Sequence, residues 1–313
     1  AEVIEKLPVI LKNISFCKQD IIRFKPDALI LVDYPGFNLR IAEFAKKAGF
    51  RVVYYISPQV WAWKKSRVKK IKKYVDKMIV ILHFEKEFYA RYGVDVDFVG
   101  HPQLDALAEE TVTPKEKFYE KYLLDDQPII ALLPGSRKQE VGRMLSIMLE
   151  VMPDFETYQF VVAGVNTITL KYYRSIIGEK PVHVLINDTH DLLHYAEAAL
   201  VTSGTATLET ALTGTPEVIC YKGNSLSYRI AKKLIDVKYI SLVNLIMDKM
   251  VVKELIQHEL NKDNLVKELD ALLYDPVTRK RIKSDYVELR KKLGQEGASG
   301  RAAELIVGML KIK

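Results

Sequence analysis

Cysteine is nearly absent: the 313 residues include two, Cys17 and Cys220. They lie far apart and show no metal-ligand spacing, so no disulfide scaffold or metal site is expected, and the thiols suit a reducing compartment. Long apolar runs are missing too. The longest, such as Met78 to Leu82, have strand length and fall well short of the roughly 18 residues that cross a bilayer. Glycine and proline number only 15 and 12, which excludes collagen-like and low-complexity chains. Neither a Walker loop nor a GxGxxG fingerprint occurs, which weighs against kinases and dehydrogenases. No internal repeat is visible. The opening Ala-Glu-Val-Ile-Glu-Lys has neither the basic start nor the apolar core of a secretory signal, and no initiator Met.

What is present is an ordinary globular balance, 49% hydrophobic and 28% charged. At about 150 residues per domain, the length suggests two domains. Lys and Arg outnumber Asp and Glu by 47 to 40, a net charge of +7 that suits nucleotides, phosphates or an acidic membrane.

A short apolar run, a polar loop and an amphipathic helix recur along the chain. Strands are expected at residues 28–32, 52–56, 78–82, 96–99, 129–133, 160–163, 182–186, 199–202 and 217–221, most of them separated by helical stretches. A helix is expected over 39–48, ended by Gly49. This alternation predicts an α/β chain of two doubly wound parallel-sheet domains, with ligands in the cleft between them at the carboxyl ends of strands. The polar stretch Glu109 to Glu116, with Pro114, is the best linker. The expected divisions are residues 1–110, 111–298 and a terminal helix at 299–313.

Two strand-to-helix turns in the second half suit an anion. In Leu132-Leu-Pro-Gly-Ser-Arg-Lys-Gln-Glu140 a strand ends in a Pro-Gly turn, Ser136 is placed to cap a helix, and Arg137 offers a charged fork. An ordinary turn with a surface arginine fits the same spacing. In Thr202-Ser-Gly-Thr-Ala-Thr-Leu-Glu-Thr-Ala211, Gly204 permits close backbone approach and Ser203 and Thr205 offer hydroxyls and amides. Glu209 is placed to accept from a ribose diol, or merely to offset the helix dipole. Together the two turns favour a diphosphate or nucleotide.

In the first half, Asp33 follows a strand and is either a general base toward an alcohol or a cap for the next helix. If Asn38 is the cap, Asp33 is freed; Asn38 is also a candidate for substrate contact, as are Ser136 and His101. Residues 64–77 carry eight basic groups and one acid. Lys64, Lys65, Arg67, Lys69, Lys70, Lys72 and Lys73, beside Trp61 and Trp63, suit an anionic membrane surface, although nucleic acid or plain solvent also accommodates a basic helix face. Asp95-Val-Asp97 alternates inside a strand, so its acids are expected to face solvent rather than a metal. His101, in Val-Gly-His-Pro102, reads as a base, a phosphate donor or a structural strand-end histidine.

With these segments in hand, the chain resembles the lipid-A-disaccharide synthases, inverting sugar-nucleotide glycosyltransferases of the GT-B architecture with two Rossmann-like domains. The likeness spans nearly the whole chain. It rests on Val32-Asp-Tyr-Pro-Gly-Phe-Asn38, Tyr54-Tyr-Ile-Ser-Pro-Gln-Val-Trp-Ala-Trp63, Phe98-Val-Gly-His-Pro102, residues 132–140, Ser203 to Glu209, and Tyr239-Ile-Ser-Leu-Val-Asn-Leu245. The resemblance implies condensation of UDP-2,3-diacylglucosamine with 2,3-diacylglucosamine 1-phosphate into a β(1→6) disaccharide, with release of UDP. It implies Asp33 as base, Arg137 and the Ser203-Gly204-Thr205 turn on the diphosphate, Glu209 on the ribose and Asn244 beside the nucleotide. It also implies no metal or other cofactor, no nucleic acid, and work on the cytoplasmic face of the inner membrane. The family's opening strand and Gly-Glu-(Ala/Thr)-Ser-Gly-Asp loop have no counterpart, so an amino-terminally incomplete first domain is expected, with activity in question. The terminal helix is expected to cross back to the first domain, and exchange of that segment in a homodimer is left open. The competing readings are another GT-B enzyme acting on a UDP-sugar, a UDP-sugar-binding protein without activity, and a nucleic-acid binder.

Overall fold

The structure, a computed structural model, describes residues 7–62, 64–224 and 238–311. The chain divides into two compact units. One contains the described residues to Ala108 and those from Leu293 onward, and the other those between Glu109 and Lys292. Leu293 to Ala298, assigned by the sequence reading to the second domain, thus cluster with the first unit. No described helix is long and apolar enough to cross a membrane.

The first unit holds a parallel sheet of β1 (Ala28–Val32), β2 (Arg51–Tyr55), β3 (Lys77–Val80) and β4 (Asp97–Phe98), in that spatial order. Side chains alternate across it as a strand's period of two requires. Val52, Tyr54, Met78 and Val80 enter a core shared with the helices Leu7–Phe24, Pro35–Lys47 and Val68–Tyr74. Val53 and Ile79 face the opposite way, onto Ala302, Leu305 and Ile306 of the terminal helix Ala298–Lys311. That helix is tied down by named bonds. The Asp105 carboxylate accepts the amides of Gly297, Ala298 and Ser299, at 2.6, 3.2 and 2.9 Å. Arg301 donates to the carbonyls of Val99, Gln295 and Glu296. The His101 amide donates to the Leu293 carbonyl at 2.9 Å, which draws the segment into this unit several residues earlier than expected.

The second unit is a six-stranded parallel sheet, β10-β9-β8-β5-β6-β7. Its strands are β5 (Ile129–Leu133), β6 (Gln159–Gly164), β7 (Val182–Ile186), β8 (Ala196–Thr202), β9 (Glu217–Tyr221) and β10 (Glu254–Ile256). All five residues of β5 are buried, the continuous apolar run of a strand covered on both faces. From β5 the chain winds outward through β6 and β7, then returns to lay β8, β9 and β10 on the other side. The strand order therefore reverses between β5 and β8, where Leu133 sits opposite Val201. Such a reversal opens a crevice at the carboxyl ends of the two strands.

Candidate functional site

Both anion-ready turns leave the sheet at that reversal. The turn after β5 carries Gly135, Ser136 and Arg137, the turn after β8 carries Ser203, Gly204 and Thr205, and all six line one cavity of about 490 Å³. Helices follow at Lys138–Met148 and Thr205–Thr213. Ser136 does not cap the first of them, a correction to the sequence reading. Arg137 holds the cap position with an extended backbone, because the turn takes one more residue before winding up. Neither helix start is capped by a side chain among the described residues. First-turn amides without a side-chain acceptor, with the positive ends of two helix dipoles, suit phosphate oxygens.

Gly135 has φ 105°, and a Cβ there would lie 3.0 Å from the Glu140 carboxylate, so the turn itself requires glycine. Gly204 differs. Its φ of 168° is extended, and a Cβ would meet nothing nearer than the Thr202 carbonyl at 3.9 Å. Arg137 is largely exposed and pairs with Glu140 at 2.7 Å. A surface pair of this kind holds the guanidinium only weakly. Glu209 lines the same cavity. Burial pushes its carboxyl pKa up, the neighbouring Glu110 adds to that, and His190 opposes it.

Asn244 is placed differently from expectation. It is fully buried, and its amide donates to the Val252 carbonyl and Glu254 while its oxygen accepts the amides of Val251 and Val252. A side chain with all four bonds spent inside the protein has none left for a ligand. It holds the 244–252 segment together.

In the first unit Asp33 stands at the carboxyl end of β1, exposed, with φ 45°, and Tyr34 follows at 42°. The Asp33 carbonyl accepts from the Tyr54 hydroxyl and from Asn38 Nδ2, and Asn38 also donates to the Val32 carbonyl. Asn38 is therefore a staple of the turn and not a helix cap, since its donors point back into the strand end. The helix expected at 39–48 begins at Pro35, and Tyr34 holds its cap position without a side-chain bond.

His101 is buried, and Gln103 donates its amide to Nδ1 at 3.2 Å. Burial lowers its pKa to about 4. The imidazole is thus neutral near pH 7, and its Nδ1 holds the loop before the helix Gln103–Glu109, which fits the reading of a structural strand-end histidine. Trp61, expected at a lipid interface, is buried edge-on against Phe84, with ring centroids 5.0 Å apart. Trp63 lies outside the described residues. Of the basic run, Lys64, Lys65, Lys69, Lys70, Lys72 and Lys73 are exposed and Arg67 is half-buried, while Val68, Ile71 and Tyr74 turn inward. Lys70 pairs with Glu43 at 3.0 Å, Lys72 donates to the Tyr92 carbonyl, and Lys73 lies over the Tyr74 ring. Asp97 pairs with Lys77 at 2.5 Å.

Sequence reasoning missed Thr189, which also lines the second-unit cavity. The signal was there, because Ile186-Asn-Asp-Thr189 is another strand end running into a helix. It missed Glu254 as well, for which a single acid before two apolar residues gives little hint.

Solved structures with the same fold are GT-B enzymes. A putative UDP-N-acetylglucosamine 2-epimerase from Listeria monocytogenes superposes with a TM-score of 0.68 at 15% identity, covering 97% of this chain and 79% of its own. The UDP-GlcNAc 2-epimerase of Neisseria meningitidis, solved bound to UDP-GlcNAc, gives 0.64 at 15% identity over 96% and 81%. The kitacinnamycin glycotransferase gives 0.60 at 14% over 98% and 83%. At such identities the likeness speaks for the fold alone, and the class it defines is GT-B. Sequence relatives narrow the class. Residues 1–307 match the family model for lipid-A-disaccharide synthetase. The lipid-A-disaccharide synthase of Syntrophus aciditrophicus is 44% identical over 99% of this chain and 82% of its own length. That of Trichlorobacter lovleyi is 40% identical over the same shares, and that of Coxiella burnetii (strain CbuG_Q212) 38% over 91% and 76%. The chain belongs to the lipid-A-disaccharide synthase family, and with it to the glycosyltransferases.

Proposed function

We propose that the chain joins UDP-2,3-diacylglucosamine to 2,3-diacylglucosamine 1-phosphate, forming the β(1→6)-linked disaccharide 1-phosphate and releasing UDP. The observation that carries this reading is the meeting of two uncapped helix starts and Arg137 at the strand-order reversal of the second sheet, in a chain of this family. In the proposed reaction the Asp33 carboxylate takes the proton of the acceptor 6-hydroxyl. The freed oxygen attacks the anomeric carbon from the face opposite UDP, and the bond to the diphosphate oxygen breaks. Negative charge then grows on the diphosphate, where Arg137 and the backbone amides of Gly204 and Thr205, in the turn anchored by Ser203, meet it. Glu209 accepts from the ribose hydroxyls. Neither step calls on a metal or an organic cofactor.

Both proposed substrates are acylated and anionic, so the reaction belongs at a membrane surface, on the cytoplasmic face of the inner membrane. The exposed lysines of 64–73 supply attraction to anionic lipid there. The test is disaccharide formation in detergent with EDTA. Asp33→Ala is expected to cut turnover by about 10²–10⁴-fold, the usual worth of a general base, while leaving UDP affinity intact. Near-normal turnover would remove Asp33 from the base role. Loss of all turnover in EDTA with the unmutated chain would count against the metal-free reaction.

A further inference from the structure

Glu254 opens β10 at the edge of the second sheet, and its carboxylate is almost wholly buried. Nothing in the proposed chemistry uses it, yet four donors converge on it. The Ile240 amide reaches Oε2 at 3.0 Å. Oε1 accepts the Ser241 amide at 3.0 Å, the Ser241 hydroxyl at 2.8 Å and the Asn244 side chain at 2.9 Å. On the other side of the same segment, the Ser203 hydroxyl donates to the Ile240 carbonyl at 3.1 Å. The Ile240 carbonyl and the Ser241 amide belong to one peptide unit, and in a trans peptide they point in opposite directions. One planar group therefore connects the buried carboxylate to the turn that lines the cavity.

We propose that Glu254 is a positioning residue for the nucleotide site, acting through the Ile240–Ser241 peptide and the Ser203 hydroxyl to hold the Ser203-Gly204-Thr205 turn in its anion-receiving shape. The inference rests on the reading of that cavity as the UDP site. An anionic acceptor at one end of a peptide polarises it and strengthens the carbonyl at the other. The Ser203 proton is thereby committed to Ile240. Its own amide is already bonded to the Cys220 carbonyl, at 3.0 Å. Ser203 is thus fixed from both ends as the anchor of the turn, and the amides of Gly204 and Thr205 are left for the ligand. Four donors face the carboxylate, so glutamine cannot replace it: its NH₂ group would oppose one or more of them.

The experiment is UDP titration by calorimetry of the unmutated chain, Glu254→Gln, Ser203→Ala and the double variant, well below each melting temperature. Glu254→Gln is expected to weaken UDP about tenfold and to add less than about twofold in the Ser203→Ala background, because both changes break one chain of bonds. A merely structural carboxylate would lower the melting temperature and leave UDP affinity of the folded protein unchanged. Affinity within about twofold of the unmutated chain, or losses that multiply in the double variant, would overturn the proposal. Hydrogen exchange of the unmutated chain gives a readout independent of any variant's folding. Bound UDP is expected to protect the amides of Ile240 and Ser241, and unchanged exchange there would also overturn it. If the unmutated chain binds no UDP, the reading of the cavity itself falls.

Discussion

Asp33 and Tyr34 leave β1 with successive left-handed backbones, φ 45° and 42°, which for residues with a Cβ costs about 1–2 kcal/mol each. The Tyr54 and Asn38 bonds to the Asp33 carbonyl hold that strained turn in place. Strain kept at a strand end suits a side chain that must be aimed. Asp33→Gly is therefore expected to melt higher than Asp33→Ala by the equivalent of about 1 kcal/mol, while both lose turnover. Equal melting temperatures would show that the turn is not strained. Two other residues contribute to the pH response. Glu85 is buried beside Trp61, and desolvation raises its pKa from 4.5 to about 7 although the Leu82 amide partly offsets it. Folded, it holds a proton that the unfolded chain releases above 4.5, so stability falls as pH rises from there to about 7, by on the order of 3 kcal/mol. His101 acts in the opposite direction. Its folded pKa of about 4 lies below the ordinary 6.5, so stability is lost as pH falls through that window. Melting curves from pH 4 to 8 should show a flatter neutral limb in Glu85→Gln and a flatter acid limb in His101→Gln. Identical profiles in variants and parent would refute both assignments. Asp33 was legible because a carboxylate after an apolar run is conspicuous. The strain beneath it was not, nor was the burial of Glu85, which reads in sequence as an ordinary acid in a helix's first turn.

Among the elements, the two turns of the second unit form the candidate anion site, and Gly204 separates backbone need from ligand need. Its extended φ and open surroundings admit a methyl group. Gly204→Ala is expected to keep its melting temperature within about a degree while UDP binding weakens several-fold, since the methyl would stand where phosphate oxygens approach. A fall in stability with unchanged UDP affinity would reverse that assignment. Both turns could be read from the sequence as strand, small residues, helix. Their adjacency could not, because it depends on β8 returning to the side of β5 opposite β6, a choice of strand order that periodicity does not carry. The three-residue β10 went unread for a related reason: Glu254-Leu-Ile is too short to show alternation. Asn38 and Asn244 each lie within a helix, Pro35–Lys47 and Leu242–Met247, and only their hydrogen bonds show them to be staples.

For the whole chain, the last helix decides how the first unit is completed. Ala302, Leu305 and Ile306 cover Val53, Ile79 and Val99, which are almost wholly buried, and Asp105 and Arg301 tie the segment down. Deleting residues 298–313 uncovers that face. The expected loss is roughly 4 kcal/mol of apolar burial, or about 10 °C in the first unit's transition, with UDP binding in the second unit retained. An unchanged transition would mean the helix does not hold the sheet. The alternation of strands and helices announced two parallel sheets, but the return of Leu293 onward to the first rests on backbone bonds such as that from His101 to Leu293, which no local pattern reveals.

The proposed function depends above all on a diphosphate being received at the strand-order reversal of the second sheet. The most direct measurement is a calorimetric comparison of UDP with uridine on the unmutated chain and on Arg137→Ala. UDP is predicted to bind the unmutated chain much more tightly than uridine. In Arg137→Ala that preference should shrink by about tenfold or more, the worth of a charged hydrogen bond, while uridine binding stays the same. An equal preference for UDP in both proteins would contradict the account.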